Sequence, residues 1–178
     1  MRLVILDRDG VINQDSDEYI KTVDEWIPLP GSLEAIARLN QAGYHVVVAT
    51  NQSGIGRGYY DHTTLNAMHH KMHKLLAKMG GHIDAVFYCP HVPEDLCDCR
   101  KPKTGMYKDI ARRWGVDLKG VPVIGDSRRD LEAAVSMGAK PILVKTGKGK
   151  ASISNLSGLG KVDIYDDLAK VVDTLVKA

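Results

Sequence analysis

Short, almost wholly apolar runs alternate along the chain with stretches whose apolar residues recur every three to four positions. The runs lie at 3–7, 44–50, 83–88, 121–125 and 141–144, and Leu3-Val4-Ile5-Leu6 and Val46-Val47-Val48-Ala49 are typical of them. Strands apolar at every position are buried on both faces, as in a parallel sheet covered by helices. The periodic stretches predict helices at 32–41, 63–79, 105–114, 129–137 and 167–176. The longest carries Leu65, Met68, Met72, Leu75, Leu76 and Met79 on one stripe, and Gly80-Gly81 stops it. Strand and helix in regular alternation predict an α/β fold: a three-layer, Rossmann-like parallel sheet with helices on both faces. Residues 146–160, rich in Gly, Ser and Lys, read as a surface loop, and no repeat or linker divides the chain, so 1–178 reads as a single domain.

Composition narrows the class without naming a chemistry. The 178 residues carry 24 Lys and Arg against 22 Asp and Glu, a net charge of +2, which gives no general pull toward nucleic acid or an anionic membrane. No apolar run is long enough to span a bilayer or serve as a signal peptide, so a cytoplasmic chain without a membrane partner is expected. No exposed apolar pattern predicts a dimer, and a monomer is the expectation. His69 and His73, four apart, read as a solvated helix face, and Trp26 and Trp114 as packing residues. Gly54-Ile-Gly56-Arg-Gly58 lacks the spacing of a dinucleotide loop.

Chemistry gathers where the predicted strands end. The first strand closes in Asp7-Arg8-Asp9-Gly10, and residues two apart in extended chain face the same side, so Asp7 and Asp9 can converge on one ligand. The plain alternative is a strand-end turn. Converging carboxylates repel unless a divalent cation offsets them, and hard oxygen ligands beside phosphate favour Mg²⁺. The second strand ends in Thr50-Asn51, the fourth in Gly125-Asp126-Ser127-Arg128-Arg129-Asp130, and Arg100-Lys101-Pro102 places fixed positive charge before a helix. In open α/β sheets ligands sit at this end of the strands.

A second cluster uses every cysteine. Cys89-Pro-His91 and Cys97-Asp-Cys99 offer three sulfurs and an imidazole, the full ligand count of a tetrahedral structural Zn²⁺ site. Four protein ligands leave no open position for hydrolysis. Because Arg100 and Lys101 follow Cys99 directly, a locked loop would aim both cations.

The ordered set, D-x-D-G, a strand closing in Thr, a Lys, then G-D-x-x-x-D, resembles the haloacid dehalogenase superfamily of phosphohydrolases over about 3–144. The resemblance implies that Asp7 is a nucleophile forming an aspartyl phosphate and Asp9 the acid and then the base. It implies Mg²⁺ on the Asp7 carboxylate, the Asp9 carbonyl and Asp126, with Asp130 behind them, and Thr50 and Lys101 stabilising the phosphoryl oxygens. Neither gap between motifs has room for a cap domain, so an open site is implied. Its rim would be a flap at 13–19 carrying Asp15, Ser16, Asp17 and Glu18, the loop at 52–59 and the zinc loop.

Within the superfamily C-x-H, C-x-C-R-K-P is similar to two families, the heptose 1,7-bisphosphate phosphatases and the histidinol-phosphate phosphatases. Thr50-Asn51-Gln52-Ser53-Gly-Ile-Gly-Arg57 is similar to the first, and Arg57 and Arg100 would bind the phosphate that is kept. The five residues between His91 and Cys97, and the acidic flap, are similar to the second. The implied substrate is D-glycero-D-manno-heptose 1,7-bisphosphate, losing its 7-phosphate on the way to nucleotide-activated heptose for lipopolysaccharide. The alternative is histidinol phosphate in histidine synthesis.

Overall fold

The computed structural model describes residues 1–178. Six strands form one sheet in the order β3-β2-β1-β4-β5-β6, every neighbouring pair parallel. They are β1 (Arg2–Leu6), β2 (Tyr44–Asn51), β3 (Ala85–Cys89), β4 (Pro122–Gly125), β5 (Lys140–Val144) and β6 (Asp163–Tyr165). The helices are α1 (Ser32–Gln41), α2 (His62–Lys78), α3 (Gly105–Trp114), α4 (Arg128–Ser136), α5 (Gly149–Ser152) and α6 (Leu168–Leu175). No helix is long and apolar enough to cross a membrane.

Strand pleating sorts the core into two layers. Val4, Leu6, Val46 and Val48 face one way, into a cluster closed by Leu65, Met68 and Met72 of α2 with residues of α1 and α6. Leu3, Ile5, Val47 and Ala49 face the other way, against Met106, Tyr107 and Ile110 of α3 and Ala133 and Ala134 of α4. The stripe is therefore core from Leu65 to Leu76, as its spacing predicts, but Met79 at its end is 45% exposed, because it caps α2 and lies past its last turn. Trp26 is fully buried and Trp114 packs at the edge of the second layer.

Two further expectations need correction. The stretch at 146–160 contains α5 and a 3₁₀ turn, and β6 follows it as an edge strand whose burial is too partial to leave an apolar run. His69 is not solvated: it is 7% exposed and turned inward toward Arg8, because the apolar stripe of α2 is wide enough to carry it under.

Sequence order reverses at β1, which lies between β2 and β4. At such a switch point the connections leave in opposite directions and open a crevice at the carboxyl ends of the strands. Asp7, at the end of β1, stands at its floor.

Candidate active site

The floor is built from three strand ends. Asp7 donates its backbone N–H to Ile124 O of β4 at 2.9 Å, which fixes its Cα at the switch point. Its Oδ1 accepts from Arg8 N at 2.8 Å and lies 3.1 Å from Lys101 Nζ, leaving Oδ2 without a protein donor. Lys101 is 2% exposed and gives its remaining protons to Ala49 O at 2.7 Å and Asp130 Oδ1 at 2.6 Å. All three ammonium protons are thus engaged, so Lys101 is a fixed charge and not a swinging donor. Burial and the facing acids act against each other on it; the pull of Asp130 and Asp7 prevails over desolvation and holds it protonated. Asp130 uses its other oxygen to cap α4, accepting from Ser127 N at 3.2 Å and Ser127 Oγ at 3.1 Å.

Asp126, at the end of β4, is 4% exposed and accepts from the Lys148 backbone N–H at 2.9 Å. Gly10 and Gly147 crowd the same carboxylate, and both hold positive φ, +84° and +56°. A side chain at either would occupy the space of the Asp126 oxygens. Burial first, then Asp130, raises Asp7 to about 7; burial, then Asp7, raises Asp126 to about 8. Oxygens of Asp7, Asp126 and Asp130 lie within 4.8 Å of one another. Lys101 compensates only part of this charge, and buried oxygens that disfavour their own ionisation suit a hard dication.

Above this floor the pocket is polar: only 3 of its 19 lining residues are hydrophobic. Asp9 accepts from Arg8 and Asn13 on Oδ1 and from Gln52 Nε2 at 3.3 Å on Oδ2. Gln52 also donates to Thr50 Oγ1 at 3.0 Å, whose own proton goes to the Asn51 carbonyl at 3.4 Å, and the Gln52 Oε1 accepts from Tyr60 OH at 2.5 Å. The Asn51 amide pairs both ways with the Lys101 backbone, at 3.1 and 3.0 Å, so it is spent on positioning Lys101. Ser53 lines the pocket, whereas Arg57 stands outside the lining, its guanidinium 5.6 Å from the Tyr19 ring. From the flap, Asp15, Ser16 and Asp17 line the pocket; Glu18 is exposed beyond it. Asp15 is tied across the opening to Lys148 Nζ at 3.6 Å. Arg129 and Lys148 also line it; neither is among the expected site residues, because Arg129 fills a variable position inside G-D-x-x-x-D and Lys148 lies in the stretch that reads as a surface loop, where substrate contact is the lesser reading.

The metal loop joins β3 to α3. Its cysteines are free, and the separations Cys89–His91, His91–Cys99, Cys89–Cys97 and Cys97–Cys99 are 3.5, 3.3, 3.6 and 3.7 Å. Ligands at about 2.0–2.3 Å in a tetrahedron lie about 3.3–3.8 Å apart, so these four donors fit one ion. Cys89 and Cys99 sit closer, at 2.6 Å. Arg100 leaves this loop directly for the pocket, its Nη1 reaching His91 O at 3.5 Å. Burial, then the charge of Arg129, lowers its pKa, as expected of guanidinium groups gathered without an anion.

Comparison with known proteins decides the family. A model described as HAD-hydrolase-like matches residues 98–171, and one described as polynucleotide kinase 3 phosphatase matches 2–127. A D-glycero-beta-D-manno-heptose-1,7-bisphosphate 7-phosphatase of Bordetella bronchiseptica is 58% identical over 99% of both chains, and one of Pseudomonas aeruginosa is 57% identical over 98% of both. The chain belongs to the heptose 1,7-bisphosphate phosphatase family of haloacid dehalogenase-like hydrolases. The Bordetella crystal structure, described as complexed with magnesium and phosphate, superposes with a TM-score of 0.97 over 99% of each chain. A Burkholderia thailandensis heptose bisphosphate phosphatase structure is 50% identical, with a TM-score of 0.79 over 100% of each. The polynucleotide phosphatase match runs from β1 through β4, the part of this family's fold that carries Asp7, Asp9 and Asp126.

Proposed function

We propose that the chain hydrolyses the 7-phosphate of D-glycero-D-manno-heptose 1,7-bisphosphate through an aspartyl phosphate on Asp7. Identity of 54–58% across nearly the whole length of three relatives of that name carries the reading. The geometry supports the roles. Asp7 attacks phosphorus with Oδ2, the oxygen left free by Lys101 and Arg8; the ester P–O bond breaks, and Asp9 protonates the leaving alkoxide. Asp9 then takes a proton from water, whose oxygen displaces Asp7 and releases phosphate. Thr50 turns its hydroxyl proton from the Asn51 carbonyl to a phosphoryl oxygen, and Lys101 adds fixed charge.

Asp7, Asp126 and the Asp9 carbonyl would hold Mg²⁺, with Asp130 bridging to Lys101 behind them. When bound, it supplies the positive charge that lets a carboxylate approach a phosphate dianion. Cys89, His91, Cys97 and Cys99 would hold Zn²⁺, with a purely structural task.

Arg100, Arg129 and Lys148 around the opening favour a second phosphate on the substrate over the ammonium of histidinol phosphate. Asp15, the least exposed of the flap acids, already faces Lys148. The test is phosphate release with Mg²⁺ from the two substrates side by side. The bisphosphate is expected to be preferred by at least tenfold in kcat/KM and Asp7→Asn to abolish release; preference for histidinol phosphate would sink the assignment.

A further inference from the structure

The carboxylate of Asp9 is held asymmetrically. Its Oδ1 accepts from Arg8 Nε at 2.8 Å and Asn13 Nδ2 at 2.9 Å, with Arg8 Nη2 2.8 Å away in ion-pair contact but making no hydrogen bond, whereas Oδ2 meets only the Gln52 amide, at 3.3 Å. Arg8 is fully buried and does not line the pocket, so it cannot reach a substrate. Asp9 is the only carboxylate in contact with its guanidinium. Its third nitrogen, Nη1, is turned away from the site, toward His69 Nε2 at 3.2 Å and Met68 Sδ at 3.8 Å. His69 can accept there only as a neutral ring with its proton on Nδ1. Burial, then the charge of Arg8, keeps it in that form. A guanidinium taken out of water is costly unless its geometry is well satisfied. Here the outcome is a carboxylate with one oxygen locked and the other aimed into the pocket.

We propose that Arg8, backed by His69, is a positioning residue that commits Oδ1 of Asp9 to the protein and presents Oδ2 to the substrate, an inference that rests on the acid–base reading of Asp9 above. With two hydrogen-bond donors and the Nη2 charge on Oδ1, a proton is directed to Oδ2. As the ester P–O bond breaks, that proton passes to the leaving oxygen and Asp9 is left as carboxylate. In the second half, a water proton returns to Oδ2 while the water oxygen bonds to phosphorus and the bond to Asp7 breaks, restoring both aspartates.

The shape of Arg8 matters here, not its charge alone, because it reaches Asp9 through Nε and His69 through Nη1 at once, a spread that a lysine's single nitrogen does not cover. An alkoxide leaving group needs the proton from Oδ2, whereas p-nitrophenolate leaves without one. Arg8→Lys is therefore expected to lose about 100-fold in kcat on the heptose bisphosphate with KM within about twofold, while first-turnover release of p-nitrophenolate falls by less than about threefold. His69→Leu should show the same split at about tenfold, and His69→Gln, whose amide oxygen can accept from Nη1, should restore it. Equal losses on both substrates, or none, in folded Arg8→Lys would overturn the inference. Should Arg8→Lys not fold, the His69 pair decides: no split in His69→Leu, or no rescue by glutamine, overturns it. Asp9→Asn separates this claim from the reading beneath it. If Asp9→Asn keeps turnover of the bisphosphate, the acid–base reading fails; if it shows the split and Arg8→Lys does not, only the positioning role fails.

Discussion

Asp130 illustrates how one side chain can serve stability and the site together. One oxygen caps α4 through Ser127 and the other meets the buried Lys101 at 2.6 Å. Removing it strips the helix of its cap and leaves an ammonium with only Asp7 and a carbonyl for company, at 3.1 and 2.7 Å. Losing one partner of a buried pair costs about 3–5 kcal/mol, and a lost cap about 1 more. Asp130→Ala is therefore expected to lower the free energy of unfolding in urea by at least about 3 kcal/mol. Asp130→Asn keeps the cap oxygen and should lose distinctly less. Equal losses for the two would mean that the Lys101 pair and not the cap carries the stability. The same residue scale shows where sequence reading stops. Asp7, Asp9, Asp126 and Lys101 are legible because strand ends and motif spacing mark them. Arg8 and His69 are not, since a charged residue beside a strand end and a histidine on a helix look like solvent-facing positions until the fold turns both inward.

At the scale of elements, the buried parallel strands announced themselves by unbroken apolar runs, which is why the sheet and the crevice at its carboxyl end could be read in advance. The β6 edge strand, Asp163–Tyr165, is half-exposed and only three residues long, so no run marks it. Helix α5 is four residues of Gly, Lys, Ala and Ser, and owes its place to Lys148 N binding Asp126 rather than to any periodicity. The metal loop lies between these cases: its ligands are legible, its consequence is not. Between Cys99 and the start of α3 at Gly105, the loop sends Arg100 and Lys101 into the pocket, and Lys103 Nζ ties back to Cys97 O at 2.8 Å. With no helix or strand in that span, Asn51 holds it at Lys101 and the four candidate metal donors would hold its start. Stripping the metal with a chelator, or Cys97→Ser, is expected to lower kcat/KM by at least about tenfold while the far-ultraviolet circular dichroism of the sheet and helices persists. Full activity in protein shown by elemental analysis to be free of zinc would refute the positioning role of the loop.

For the molecule as a whole, the carboxylate floor sets how stability depends on pH and metal. Asp7 and Asp126 are raised from 3.8 to about 7 and about 8, so between those values the folded chain binds more protons than the unfolded one. Their stabilising contribution is complete below 3.8 and is lost as pH rises through 7 and 8. His69 has the opposite sign: lowered from 6.5 to about 3 by burial and by Arg8, it makes the fold less stable as pH falls from 6.5 toward 3. Above about pH 6.5 the histidine is neutral in both states; Cys97, lowered from 9.0 to about 6, opposes the carboxylates over this range unless a metal holds it as thiolate, so the carboxylates act alone in protein whose Cys/His site is filled. Mg²⁺-free protein with that site filled is therefore expected to melt at progressively lower temperature from pH 6.5 to about 8, the window bounded by these values. Mg²⁺ competes with protons for the same oxygens, so the rise in Tm on adding it should grow across that window. Asp126→Asn, with no charge to form there, should flatten the Mg²⁺-free slope and shrink the Mg²⁺ effect together. An Mg²⁺-free Tm that holds level or climbs from pH 6.5 upward would show that the floor carries its negative charge without strain, and the argument for a dication from the crowding of Asp7 and Asp126 would fall with it.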